Sequence, residues 1–262
     1  MALRSSALGP PLLLALALAT GLASAKDWTR IRVASEGAHP PFNSLDAMNQ
    51  LQGFEIDLAR EVCRRLRASC EFMTQDFAGI IPALIAGRYD IAFASLTITP
   101  PREANVAFSK KYYDARAMFV DNKAKPVAST APKAMKGLKV GAKIASTSAR
   151  YLQDHYVPQG AVLKLYHTID EARLDLAEGR IDALLGDKTA MVYWLANSPL
   201  ARCCEVTGDD LTDPAYFGRG VGAAMRKDDV ELKELVDAAL TAIRADGTYS
   251  ALRKKYFSFD PY

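Results

Sequence analysis

The sequence AGRYDIA at residues 86–92 recurs in related form as EGRIDAL at residues 178–184. In both copies a helical pattern ends at glycine, a residue that readily caps a helix, and a short apolar strand begins around the aspartate. A polar segment comes after each strand: residues 95–97 (SLT) after the first and residues 186–187 (GD) after the second. Ligand-binding groups of α/β folds lie beyond the carboxyl ends of strands. The pattern predicts two similar α/β lobes, although chance can also supply so short a repeat.

The chain around this repeat reads as further alternation of strands and helices. Residues 30–34 and 138–142 are apolar runs typical of strands, whereas residues 56–66 carry apolar side chains at helical spacing. Residues 121–136 are rich in Ala, Lys, Pro, Ser and Thr, which predicts a surface loop. Residues 232–243 form a strong amphipathic pattern that predicts a long helix near the end of the chain.

The first 25 residues have the features of a secretory signal peptide. Arg4 precedes an apolar stretch, and the small residues 23–25 (ASA) come just before polar sequence. A membrane anchor is the alternative, but residues 9–11 (GPP) interrupt the apolar run, and the apolar segment after them is too short to span a bilayer. We therefore expect cleavage after Ala25 and an exported, periplasmic product.

The composition is that of an ordinary globular protein. The 262 residues are 50% hydrophobic and 24% charged, and the formal net charge is +3. The lysine pairs at residues 110–111 and 254–255 are most simply solvated faces, so nothing indicates nucleic acid as a partner. We expect no cofactor and no bound metal, and we expect a monomer.

Four cysteines remain in a chain that is predicted to be exported. Cys63 and Cys70 are seven residues apart, the first late in a predicted helix and the second entering the next strand. That separation lets the chain turn back and join the sulfurs, and an oxidising compartment would preserve the bond; two buried thiols are the alternative. Cys203 and Cys204 are adjacent, and the sequence leaves their state undecided.

Eight groups of residues are spread along the whole predicted mature chain: HPPF (39–42), GFEIDLA (53–59), DF (76–77) before IP (81–82), SLTIT (95–99) running to Arg102, FS (108–109) before Tyr112, GRID (179–182), RKDD (226–229) and DGTY (246–249). Together these segments resemble the periplasmic amino-acid-binding proteins of ABC importers, solute-binding protein family 3. Within that family the lysine/arginine/ornithine-binding and histidine-binding proteins are most similar, and the Cys63–Cys70 pair lies where they carry their disulfide.

The resemblance implies a fold and its domain organisation. The fold is the two-lobed, type II periplasmic-binding-protein fold, in which two α/β lobes are joined by two crossing hinge strands. Lobe 1 would contain residues 26–115 and 217–262, and lobe 2 would contain residues 116–216. The crossings would lie near residues 114–118 and 212–219.

A free amino acid offers a carboxylate, an ammonium group and a side chain, and burying the two charges unpaired would be very costly. The resemblance implies that Arg102 grips the carboxylate bidentately. Ser95 and Thr97 match residues that bind the charged head group, Thr147 lies in a hydroxyl-rich turn at a helix N-terminus suited to a carboxylate, and Asp187 matches the ammonium partner. Taken alone, Arg102 would as readily be a surface arginine, and Asp187 would more often be a turn or N-cap residue.

The side-chain pocket bears on specificity. By resemblance, Phe77 packs on the ligand's aliphatic stem, and Glu36 meets the distal cation of a basic ligand; a core aromatic and an exposed glutamate are the alternatives. Three positions depart from the family. His39 replaces a stacking tyrosine and would repel a cation if protonated. Lys143 replaces a leucine and suits a basic ligand only if it points outward or pairs with Glu36. Ala145 replaces a glycine, so the turn before Ser146 is expected to differ.

The resemblance predicts a non-enzymatic protein that captures a polar, basic L-amino acid (arginine, lysine, ornithine or histidine) and delivers it to an ABC transporter permease. The alternative ligand is an opine or a neutral polar amino acid. Two further classes are weaker. A dehydratase of this fold needs an acid or base in the cleft, for which only His39 with Glu36 is available. A receptor sensor domain would be followed by a spanning segment or a signalling domain, and the sequence shows neither after Tyr262.

Overall fold

The computed structural model describes residues 26–262, and the predicted signal peptide, residues 1–25, lies outside the described residues. The strands are β1 (Arg30–Ser35), β2 (Ala38–His39), β3 (Asn43–Leu45), β4 (Leu51–Gln52), β5 (Ser69–Thr74), β6 (Ile91–Ala92), β7 (Ala107–Phe108), β8 (Ala117–Asn122), β9 (Lys139–Lys143), β10 (Val162–Tyr166), β11 (Ala183–Asp187), β12 (Cys204–Leu211) and β13 (Ala224–Met225). The α-helices are α1 (Phe54–Leu66), α2 (Ile80–Ile85), α3 (Pro100–Glu103), α4 (Thr147–His155), α5 (Ile169–Ala177), α6 (Lys188–Asn197), α7 (Pro214–Phe217), α8 (Val230–Ala245) and α9 (Thr248–Lys254).

Two five-stranded mixed sheets form the framework of two lobes. The first has the order β5-β1-β6-β13-β7, with β1 parallel to both neighbours and β13 antiparallel to both of its own. The second has the order β10-β9-β11-β8-β12, with β9 parallel to both neighbours and β8 antiparallel to both of its own. The first sheet takes strands from both ends of the chain and the second takes them from the middle, as the two-lobed α/β fold requires.

Each sheet is buried on both faces, which is typical of sheets with parallel strands. Successive residues of one strand point to opposite faces, so neighbours in sequence enter different cores. Val33 packs with α1 and α8 on one face of the first sheet, whereas Ala34 packs with α2 on the other. In the second sheet the neighbours Phe119 and Val120 likewise pack into different cores, one on each face. Helices cover both faces of each sheet and leave the strand ends for the loops that form the site.

The internal repeat seen in the sequence is a structural repeat. Gly87 and Gly179 lie just past the ends of α2 and α5 with φ of 72° and 69°, a conformation that glycine adopts without strain. Asp90 accepts a backbone N–H from β1 at 3.0 Å, and Asp182 accepts one from β9 at 2.8 Å. The two aspartates therefore occupy corresponding positions, each securing the neighbouring parallel strand of its own sheet.

The predicted disulfide is present. Cys63 near the end of α1 is bonded to Cys70 in β5, with the two Cα atoms 6.2 Å apart. The structure also joins the adjacent Cys203 and Cys204. Within residues 26–262 no helix has the length and apolar character needed to cross a membrane.

Candidate ligand-binding site

A cleft lies between the two lobes and receives loops from both. The loops after β1 and β6 reach it from the first lobe, and the ends of β9 and β11 reach it from the second. All the predicted ligand-binding residues except Glu36 line this cleft: His39, Phe77, Ser95, Thr97, Arg102, Thr147 and Asp187. Glu36 is not among the lining residues, but its carboxylate is bonded to the ammonium of Lys143, which does line the cleft.

Arg102 reaches the cleft from the short helix α3. Its Nη1 donates to the carbonyl oxygen of Thr97 at 3.1 Å, and its Nη2 donates to the carbonyl oxygen of Ala145, in the second lobe, at 3.2 Å. Burial, together with the positive charge of Arg150, lowers the pKa of Arg102 to about 10, so the guanidinium keeps its charge at neutral pH. A planar guanidinium held in this way can bind a carboxylate through two parallel N–H groups.

Ser95 is held beside the cleft by a buried carboxylate. Its backbone, at φ 53°, lies in the left-handed region, and both its N–H and its hydroxyl donate to Glu55, at 2.8 and 2.9 Å. Glu55 is fully buried and also accepts hydrogen bonds from Asn43 and Tyr112. Burial raises the pKa of Glu55 and these hydrogen bonds oppose the rise. Because its hydroxyl hydrogen is used by Glu55, Ser95 presents its oxygen to a ligand as an acceptor.

Glu55 was not among the residues selected from the sequence. It is a charged residue on the apolar face of α1, between the buried Phe54 and Ile56, and that contrast is the signal that could have found it. Buried carboxylates are rare unless they have partners.

Asp187, the last residue of β11, both caps a helix and lines the cleft. Its Oδ1 accepts the N–H of Ala190 at 2.9 Å and so caps α6, while the residue also lines the cleft. Burial raises the pKa of Asp187 to about 7 despite that hydrogen bond. A ligand ammonium placed here would favour the ionised carboxylate. The N-cap interpretation and the ligand-binding interpretation are thus compatible.

The turn before α4 supplies hydroxyl groups from the second lobe. Ser146 caps α4 by accepting the N–H of Ala149 at 3.0 Å, and Thr147 is the first helical residue and lines the cleft. Ala145, which stands where the family carries glycine, has φ 59°. The turn therefore keeps the left-handed conformation that glycine would favour, with an alanine in its place.

The far part of the cleft holds a buried ion pair. Lys143 Nζ lies 2.6 Å from Glu36 Oε2, and the two side chains are only 7% and 4% exposed. The same ammonium stands 3.7 Å from the centroid of the Phe77 ring, within the range of a cation–π interaction. Of the two arrangements predicted for Lys143, the structure has the pairing with Glu36.

His39 forms another wall of this part of the cleft and stacks on Phe42 with ring centroids 5.7 Å apart. Burial and the nearby positive charges of Lys143 and Arg173 hold the pKa of His39 well below its usual range. The imidazole is therefore neutral at physiological pH and does not repel a cation through its own charge. Its Nδ1 is buried and makes no hydrogen bond within residues 26–262.

Comparison with known proteins agrees with this architecture. The chain is 38% identical to the putative ABC transporter arginine-binding protein 2 of Escherichia coli K12, covering 87% of this chain and 90% of that protein. It is 35% identical to the lysine/arginine/ornithine-binding periplasmic protein of the same organism, covering 95% and 98%. The structure of an ancestral arginine-binding protein bound to arginine superposes with a TM-score of 0.80 at 33% identity, covering 88% and 99%.

These relatives are binding proteins and not enzymes, and the chain is accordingly a non-enzymatic solute-binding protein. Residues 31–259 match a single family over most of the chain. The chain belongs to the bacterial extracellular solute-binding proteins, family 3.

Proposed function

We propose that this protein captures a polar L-amino acid in the periplasm, as a monomer, and delivers it to the membrane permease of an ABC importer. The observation that carries the proposal is that Arg102 from the first lobe and Asp187 from the second line one cleft. A guanidinium and a carboxylate on opposite walls are complementary to the two charges of an amino-acid head group.

Each group in the cleft has a place in this proposal. Arg102 binds the ligand carboxylate, and Thr147 adds its hydroxyl and the N-terminal N–H groups of α4. Asp187 binds the ammonium group, and the Ser95 oxygen accepts a further hydrogen bond from it. Thr97 lines the head-group region beside the carbonyl that already anchors Arg102.

The proposal includes lobe closure around the ligand. We assign residues 26–115 and 217–262 to lobe 1 and residues 116–216 to lobe 2, with hinges near 114–118 and 212–219. The membership of the two sheets supports this division. A ligand that contacts both lobes stabilises the closed arrangement more than the open one, which links binding to a shape that a permease can recognise.

Different observations favour two different classes of ligand side chain, basic and neutral. The names of the relatives favour a basic ligand, as does the acidic residue Glu36 beside the lining residue Lys143. The pairing of Glu36 with Lys143 favours the alternative, a neutral polar amino acid or an opine.

Thermal unfolding with each of the twenty amino acids, ornithine, citrulline and octopine tests the head-group proposal. A ligand present at a hundred times its Kd should add about 2.7 kcal/mol to the free energy of unfolding. The matched control is the same compound with its carboxylate converted to an amide, which should give no shift. If no compound in the panel raises the unfolding temperature, amino-acid capture is wrong.

A further inference from the structure

Lys143 occupies the region that a basic ligand's distal cation would need. Its ammonium pairs with Glu36 at 2.6 Å and stands over the Phe77 ring at 3.7 Å. These are the two groups predicted to receive the cation and the stem of a basic side chain. The protein thus supplies its own cation at this point, tethered to β9.

The other charged residues around the cleft are already paired, so within the described chain no anion remains for the side-chain cation of a basic ligand. Among the described residues, Arg116 lines the cleft and lies 3.6 Å from Asp210, and the buried Arg173 pairs with Asp170 at 2.9 Å. Glu55 faces its four hydrogen-bond donors below Ser95. The charged side chains of the described residues that remain available to a ligand are Arg102 and Asp187. They are complementary to the carboxylate and the ammonium of the ligand head group.

A basic side chain would therefore bring an unmatched positive charge into a closed cleft beside Lys143. Burying an unpaired charge is expensive, and like charges at short range add to that cost. An acidic side chain would meet Lys143 but would also face the Glu36 carboxylate. A neutral side chain leaves every charge in the cleft matched.

The pocket also offers the hydrogen bonds that a carbonyl-containing side chain needs. An ammonium group has three donors, and Lys143 gives one to Glu36, so it can donate another to a carbonyl oxygen. Glu36 accepts from Lys143 through Oε2, and its Oε1 accepts no hydrogen bond within residues 26–262. His39 lines the same cleft, and its buried Nδ1 has no hydrogen-bond partner in residues 26–262.

We infer that Lys143 makes this pocket select a neutral side chain bearing a carbonyl and N–H groups, a carboxamide or ureido group as in glutamine or citrulline, over a cationic side chain. The inference rests on the proposed amino-acid capture and names its substrate class. Lys143 donates to the carbonyl oxygen, Glu36 accepts from the terminal N–H, and the Phe77 ring packs beside the stem.

Calorimetric titration of the mature protein provides the test. Citrulline and arginine have nearly the same shape and differ in side-chain charge, and glutamine is compared with lysine and ornithine. The tighter of the two neutral ligands should bind at least tenfold more tightly than any of the three cations. If arginine, lysine or ornithine binds as tightly as the better neutral ligand, the inference is overturned while amino-acid capture stands. If none of the five binds while another compound of the thermal-unfolding panel does, the inference is overturned and amino-acid capture stands; if no compound of that panel binds, the proposed function itself fails.

Variants identify the residue responsible. Lys143→Met keeps the length of the side chain and removes its charge, so arginine should gain at least tenfold and the neutral ligands should weaken. Because this change leaves Glu36 without its cation and could impair folding, Glu36→Gln with Lys143→Met provides the neutral control. The double variant should fold and still bind arginine weakly. Unchanged selectivity in a folded Lys143→Met variant, or tight arginine binding by the double variant, contradicts the assignment.

Discussion

Arg102 donates from Nη2 to the carbonyl oxygen of Ala145 at 3.2 Å, and this hydrogen bond joins the first lobe to the second. The pair of Lys143 with Glu36 also joins the two lobes, through a residue two positions before Ala145 in the chain. The guanidinium that is proposed to bind the ligand carboxylate therefore already bridges the lobes. Ligand binding and lobe closure share one side chain, so a change at Arg102 affects both.

Replacing Arg102 with alanine should weaken every amino-acid ligand to a similar degree, because all of them carry the same carboxylate. A charge-assisted pair contributes about 1.5–3 kcal/mol, equivalent to a loss in affinity of roughly 10- to 150-fold. Calorimetry on two ligands with different side chains measures this. Arg64→Ala is the matched control, since Arg64 is 68% exposed on α1, and it should bind normally. Normal binding by Arg102→Ala would refute the head-group assignment.

Ligand affinity should fall as the pH decreases below about 7. Burial raises the pKa of Asp187 to about 7 in the ligand-free protein, and only the ionised carboxylate pairs with an ammonium group. At pH 5 about 1% of such a carboxyl is ionised, so affinity should drop by up to about 100-fold relative to pH 8. Titrations at several pH values check this, and Asp187→Asn should bind weakly at every pH. A wild-type affinity that is constant from pH 5 to 8 would contradict the role of Asp187.

The same carboxyl affects stability in the opposite direction. The native state holds the Asp187 proton more tightly than the unfolded chain, in which an aspartate has its usual pKa of about 3.9. Its contribution to the stability of the ligand-free protein is therefore present at low pH and is lost as the pH rises through about 7. Urea unfolding of wild type and Asp187→Asn should show the difference in pH dependence between pH 4 and 8, and parallel curves would contradict it.

The disulfide should stabilise the fold without affecting binding. Cys63 and Cys70 close a loop with a sequence separation of 7, for which the chain-entropy model gives about 2–3 kcal/mol. Neither residue lines the cleft. The double variant Cys63→Ala/Cys70→Ala should therefore unfold at lower urea concentration and keep the Kd of the wild type. A changed Kd with unchanged stability would reverse this interpretation.

The sequence predicted the features that local pattern determines. The glycine-ended helices before β6 and β11, and the aspartates that immediately precede those strands, could be predicted because each depends on a few consecutive residues. The partner of Lys143 could only be narrowed to two arrangements, because Glu36 is 107 positions away and the choice depends on how the lobes meet. The role of Glu55 could not be predicted, because its partners come from three other segments of the chain.

Glu55 therefore provides a sharp test of how the cleft is supported. Its two oxygens accept from the Ser95 N–H and hydroxyl, from the Asn43 side chain and from Tyr112. Glu55→Gln keeps the shape and replaces one acceptor with a donor, so at least one buried donor loses its partner at a cost of about 1–3 kcal/mol. The Ser95 backbone, at φ 53°, is held less firmly when its hydrogen bonding to residue 55 is weakened. Ligand affinity should therefore fall together with stability.

Glu61→Gln is the matched control on the same helix, because Glu61 pairs with Arg64 and Arg65 near the surface. Such pairs contribute about 0–1 kcal/mol, and the substitution should leave the Kd unchanged. Urea unfolding and calorimetric titration of the two variants measure both effects. A Glu55→Gln variant that matches Glu61→Gln in stability and in Kd would mean that the carboxylate below Ser95 does not position the head-group site.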